Sequence, residues 1–149
     1  MAGLKLTEEH RQALLGLMPF TQNGTIEYTP KAFEKLDIPK NKKSIYIMRA
    51  YNKDEMTRVR KLINDVNASK GSKDDQEEEI RDLTRRSIVG WKNIYDLATG
   101  DEIEFKKDSD GSADKGLFED IPDVIKAEIY TYSLTISGLM KKEIEGLGY

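Results

Sequence analysis

Cysteine is absent from this 149-residue chain, which removes disulfides and thiolate metal sites from consideration. A reducing compartment permits such a composition. Histidine occurs once, as His10, near the N-terminus and with no catalytic partner at motif spacing. Nucleophilic catalysis built on His or Cys therefore lacks its parts, and a zinc site lacks its ligands. No apolar run approaches the length of a spanning helix. Residues 1–20 are interrupted by Lys5, Glu8, Glu9, His10 and Arg11, so they offer no signal-peptide core. The sequons at Asn23 and Asn67 then carry no weight.

Charge is what the chain has in quantity. Charged residues make up 34% of it, against about 25% in an average globular chain. The apolar fraction is 38%, enough for a lean core under a wide charged surface. The balance is uneven along the chain. Lys31 to Lys61 holds ten Lys/Arg against four Asp/Glu, whereas the whole chain is −3, so the later residues are strongly acidic. An acidic protein partner suits the basic stretch better than nucleic acid does. Asp54 and Glu55 sit at helical spacing from Arg58, which is ordinary helix pairing, and the overall charge is negative.

Local patterns give a mixed chain. Thr7 reads as an N-cap for a short amphipathic helix over Ala13, Leu14, Leu17 and Met18. After a turn at Asn23-Gly24, Thr25 to Tyr28 alternates like a strand. Pro30 opens a short helix through Ala32, Phe33 and Leu36, and Pro39 ends it. Ser44 to Tyr51 reads as a strand. Asn52 with Glu55 forms a capping-box pattern, opening a helix with Met56, Val59, Ile63 and Val66 on one face. A polar segment, 67–75, leads to a second helix from about Asp75 to Val89, capped by Ser72 or Asp74. Its apolar face is Ile80, Leu83, Ser87 and Ile88, and Gly90 stops it.

Trp91 to Phe105 reads as a β-hairpin around Leu97-Ala98-Thr99-Gly100-Asp101, followed by a polar loop from Lys106 to Gly116. Pro122 then opens a helix with Val124, Ile125, Ile129, Tyr132 and Ile136 on one face. Gly138 breaks it ahead of a terminal helix, Leu139 to Glu145. The expected fold is α+β: a small antiparallel sheet with three or four helices packed on it. The length fits one domain over 1–149, in which 67–75 either turns the chain or separates lobes at 1–66 and 76–149.

Two stretches imitate ligand loops and fail. Gly111 to Gly116 has the glycine spacing of a phosphate loop, but Leu117 and Phe118 stand where lysine and Ser/Thr are needed. Asp108-Ser109-Asp110-Gly111 imitates a calcium loop, but Lys106 and Leu117 occupy its first and last ligand positions. A polar loop is the better reading, with Asp108, Asp110 and Asp114 as the residual cation ligands. The acidic run Asp74 to Glu79 is explained by a helix start. No cofactor, metal site or catalytic residue is expected.

Arg85 to Asp96, with Trp91 after Gly90, and then Gly100-Asp101-Glu102-Ile103-Glu104-Phe105, resembles small tailed-phage proteins of the tail assembly chaperone kind or their virion neighbours. Tyr28 to Phe33, Ile45 to Tyr51 and Ile121 to Val124 are similar to the same group. The resemblance implies a non-catalytic protein of the host bacterial cytoplasm that holds the tape measure protein while tail-tube subunits polymerise. A structural virion protein forming a homo-oligomer is the alternative, and a nucleic-acid-binding regulator the next. The expected contacts are Tyr46, Met48, Arg49, Tyr51, Trp91 and Tyr95, with Leu139 and Met140, wherever these are exposed. For Trp91 and Phe105, burial under the hairpin is the preferred place.

Overall fold

The computed structural model describes residues 6–14 and 24–139. Three antiparallel strands, β1 (Thr25–Tyr28), β2 (Ile45–Arg49) and β3 (Ile88–Lys92), form a sheet in that order. β1 and β2 pair with Ile26 opposite Met48 and Tyr28 opposite Tyr46. β2 and β3 pair with Tyr46 opposite Trp91 and Met48 opposite Ile88, so a bulge accommodates Val89. Side chains alternate across a strand, so Ile26, Tyr46, Met48, Ile88 and Trp91 share one buried face.

Among the described residues five α-helices accompany the sheet: α1 (Glu8–Ala13), α2 (Lys53–Asn67), α3 (Lys73–Arg86), α4 (Lys115–Glu119) and α5 (Asp123–Ile136). The fold is α+β. Thr7 accepts the His10 amide at 3.1 Å at the start of α1. Asn52 and Glu55 close a full capping box on α2. Ser72 caps α3 by accepting the Asp75 amide. α4, which sequence placed partly in a loop, is capped by Asp114.

α5 is the central helix. Ile125, Ile129, Tyr132 and Ile136 face the sheet, while Tyr130 and Leu134 pack with Val59 and Leu62 of α2 and Leu83 of α3. A helix apolar nearly all round belongs in an interior. The single face drawn for it from sequence therefore needs correcting. Val124 is 64% exposed, and Tyr130 and Leu134 are core. Tyr28 stacks on Tyr132 with ring centroids 4.0 Å apart.

Three further expectations are corrected. α3 ends at Arg86, because Ile88 and Val89 leave as β3 and Ser87 hands its carbonyl to the Arg49 amide at 3.0 Å. Gly90 therefore lies within a strand, where a Cβ would stand 3.0 Å from Ile47 Cδ1. The 91–105 hairpin is also reduced. Trp91 and Lys92 pair with β2, and the two arms meet through the Tyr95–Glu102 bridge and the backbone bonds from Ile103 N to Ile94 O (2.7 Å) and from Asp96 N to Asp101 O (2.9 Å) rather than as a pair of strands. Trp91 is still buried, edge-on to Phe105 at 5.1 Å, and its indole N–H donates to Ile103 O at 2.8 Å.

The turn between α2 and α3 is 68–72, shorter than the 67–75 segment expected because Asn67 ends α2 and Lys73 begins α3, and it holds Ser69 (φ 52°) and Gly71 (φ 81°) in the left-handed region. Because β1 and β2 precede it and β3 follows it, one sheet draws on both sides of the turn. The helix expected over Leu139 to Glu145 lies outside the described residues, except for Leu139, which is buried and not helical.

Candidate interaction surface

One end of the sheet gathers two loops. β1 finishes, β2 begins and β3 finishes there, since Ile45 pairs with Lys92 and Tyr28 with Tyr46. The β1–β2 connection carries two 3₁₀ turns, Lys31–Phe33 and Lys40–Lys42, each preceded by a proline whose φ suits such a start. Glu128 of α5 fixes its beginning. One carboxylate oxygen accepts from Lys31 N (2.7 Å) and Tyr28 Oη (3.0 Å), and the other from Ala32 N (3.3 Å). Burial, together with this carboxylate, pushes the Tyr28 hydroxyl well above its ordinary value, so it stays a donor.

Asn93 fixes the other end of the connection. Its backbone is left-handed at φ 59°, a conformation Asn tolerates better than most residues. Its side-chain amide donates to Asn41 O (2.9 Å) and Lys43 O (3.1 Å), its carbonyl accepts from Ser44 Oγ (2.9 Å), and its N–H donates to Glu102 (2.9 Å). The same residue thus joins the β1–β2 connection to the loop after β3. That second loop is tight. Asp96 Oδ1 accepts from Ala98 N, Gly100 N donates to Asp96 O, and Asp101 N donates to Thr99 Oγ1. Gly100 sits at φ 79°, where a side chain would be strained.

Between these anchors the loops present apolar side chains to water. Leu36 is 49% exposed, Ile38 40% and Leu97 96%. Lys31, Lys35, Lys40, Lys42 and Lys43 share the first loop with only Glu34 and Asp37. Sequence placed Leu36 on a helix face, and the 3₁₀ turn ends too early to give it one. A signal was present in Leu36 and Ile38 two apart between prolines and among lysines, and in a leucine at a turn tip beside Asp96.

The residues expected to meet a partner sit mostly elsewhere. Tyr46, Met48, Tyr51, Trp91 and Leu139 are buried in the two cores, so as exposed contacts they are corrected. The physical reason is that each is an inward position of a strand or lies against α5. Tyr51 ends against Leu83 O (2.8 Å) and Ser133 Oγ (3.0 Å). Arg49 is half-buried, with both guanidinium arms on the Glu55 carboxylate at 2.7 and 2.8 Å. Tyr95 is half-buried at the loop end, its hydroxyl donating to Asn93 Oδ1 at 3.3 Å. Met140 lies outside the described residues.

The densest titratable cluster is an arginine–carboxylate network. Arg85 pairs with Asp82 and Asp110, Arg86 with Asp82, and Arg58 with Glu79 and Asp82. Burial pushes the Asp82 carboxyl up, yet hydrogen bonds from Arg86 and Arg58 outweigh it and hold it down at about 2. The hydrogen bond from Arg85 holds Asp110 lower still. Carboxylates so strongly ionised are poor general acids or bases near neutral pH. The cations facing these carboxylates are Arg85, against Asp108 and Asp110, and Arg86, against Asp110, and Asp114 is spent capping α4. Among the described residues no group of three or more His, Asp or Glu side chains is placed to hold a metal, and no helix is long and apolar enough to cross a membrane.

A shallow groove runs between α3 on one side and α4 and α5 on the other, with Phe118 in its floor. Compared with protein-family models, with curated proteins and with solved structures, the chain matches none.

Proposed function

We propose that this is a non-catalytic assembly protein that binds another protein through the loop end of its sheet. The observation that carries the reading is the exposure of Leu36 and Ile38 among the lysines of 31–43 and of Leu97 at the tip of the loop after β3, two loops that Asn93 ties together. Large apolar side chains held out on fixed loops cost little further ordering when a partner covers them. The resemblance of the sequence to phage tail assembly proteins suggests the partner: the tape measure protein, with tail-tube subunits as the next candidate. The host cytoplasm would be the site of action. A structural role in the virion, as a homo-oligomer, is the alternative within the same class.

The test is co-expression with the tape measure protein of the same genome, followed by affinity capture and light scattering. Wild type should retain that partner in solution, and Leu36→Ser with Leu97→Ser should release it while the melting temperature stays put. Capture that is indifferent to both substitutions would sink the loop-end reading. The five lysines of 31–43 favour nucleic acid as a second reading. Salt-sensitive binding of duplex DNA, lost on Lys40→Glu with Lys42→Glu, would select it.

A further inference from the structure

The two loops at the end of the sheet are opposite in sign. The 31–43 connection carries five lysines against Glu34 and Asp37, whereas residues 94–105 carry Asp96, Asp101, Glu102 and Glu104 and no lysine or arginine. Asn93 holds the two side by side, its side-chain amide on Asn41 O and Lys43 O and its N–H on Glu102 Oε1. The seam between them is thus closed by amide hydrogen bonds and not by charge. None of the lysines or carboxylates of either loop is ion-paired with a described residue. Leu36 and Ile38 stand out of the basic loop, and Leu97, 96% exposed, out of the acidic one. The loop end therefore has a basic half and an acidic half, an apolar point in each, and its charges uncommitted.

We propose that the loop ends of two copies close on one another about a two-fold axis, forming a dimer. A surface with one half of each sign is complementary to itself under such a rotation. The 31–43 loop of each copy then faces the 94–105 loop of the other, so the charge match is made twice. Lys35 and Lys40 meet Asp101 and Glu104, and Leu97 lies against Leu36 and Ile38. A different partner would need the same pairing of signs at the same spacing, which a second copy has by construction. Both loops are held by the bonds to Asn93 and Glu128, so little ordering is lost on contact. The proposal rests on the loop end being the binding surface and adds that a second copy covers it, to be displaced by any partner that reaches Leu36 and Leu97.

The experiment is light scattering on the full chain across a concentration series. Wild type should reach twice the 17.0 kDa monomer mass and no more at low salt. The association should weaken at least about tenfold between ~0.05 M and ~0.5 M salt. Lys35→Glu with Lys40→Glu leaves two acidic loops on one molecule, and Asp101→Lys with Glu104→Lys leaves two basic ones. Each variant alone should be monomeric, and an equimolar mixture should form a 1:1 heterodimer. All four positions are exposed, and circular dichroism checks that both variants fold. Should either misfold, Leu97→Ser takes its place. That residue enters a two-fold contact twice, so its loss should weaken the dimer at least about a hundredfold. A wild type that stays monomeric at low salt, a dimer untouched by these substitutions, or folded reversal variants that fail to join would each overturn the proposal. A wild-type monomer that still captures the tape measure protein through Leu97 would remove this inference and leave the proposed function standing. A dimer that answers to the charge reversals without any such capture would do the opposite.

Discussion

Arg85 and Asp110 meet with Nη2 donating to Oδ2 at 2.8 Å, which ties the last turn of α3 to the polar loop that follows β3. The other arm of Arg85 donates to Ala113 O at 3.0 Å, and only 4% of the side chain is exposed. Removing one member of a buried charged pair strands the other. Arg85→Met should therefore destabilise the fold by about 3 kcal/mol, the low end for such pairs because Asp110 and Asp82 keep some access to water. The midpoint of urea denaturation measures it.

Acid sensitivity follows from the same network. Asp82 and Asp110 are held below the ordinary carboxylate value when folded, and so is Glu55, where burial is outweighed by the Arg49 hydrogen bond. A lowered folded value contributes stability that is whole above the unfolded value and is lost as pH falls through the folded one. Stability should thus begin to fall near about pH 5, fall steeply below about pH 4, and be flat from about pH 5 to neutrality as far as these groups decide it. Denaturation curves at stepped pH check the slope, and Arg85→Met should flatten it.

Asn93→Ala should loosen the loop end without melting the core. The substitution removes two hydrogen bonds to the 41–43 carbonyls and puts alanine at positive φ, for about 1–2 kcal/mol. Hydrogen exchange at residues 40–44 should accelerate while β2 and α5 stay protected. Asn93→Gly should recover only the backbone part of the loss.

Tyr51→Phe isolates one buried polar contact. The hydroxyl links β2's exit to Leu83 O of α3 and Ser133 Oγ of α5. Burial pushes its ionisation far above the ordinary value, so it acts as a neutral hydroxyl throughout. Losing it leaves Leu83 O with one partner fewer in a dry site, at a cost of about 1–2 kcal/mol. Calorimetry should show a lowered melting temperature with an unchanged circular dichroism spectrum.

Capping chemistry was the most legible part of the sequence. Thr7, Asn52 with Glu55, and Ser72 each state a helix start in local terms, and the structure places a cap at each. Strand membership was less legible. Ile88 fits a helical stripe as well as a strand, and pairing with β2, some forty residues away, decides the matter. The same non-local choice drew Trp91 out of its hairpin and into β3. The interaction surface was the least legible. Tyr46 and Met48 look like ready contacts until a third strand and a helix cover them, whereas Leu36 owes its exposure to a 3₁₀ turn that stops short.

The stacking of Tyr28 on Tyr132 spans nearly the whole described chain. A ribosome releasing this protein from its N-terminus finishes β1 and β2 long before it makes the helix that covers them. Until α5 emerges, Ile26, Tyr46 and Met48 have no lid, and β2 lacks its β3 neighbour until residue 92 is out. Completion of this core is thus deferred until α5 has been made. A chain stopped before Asp123 would display the very side chains that the finished protein hides, and would be a client for the cell's chaperones and proteases.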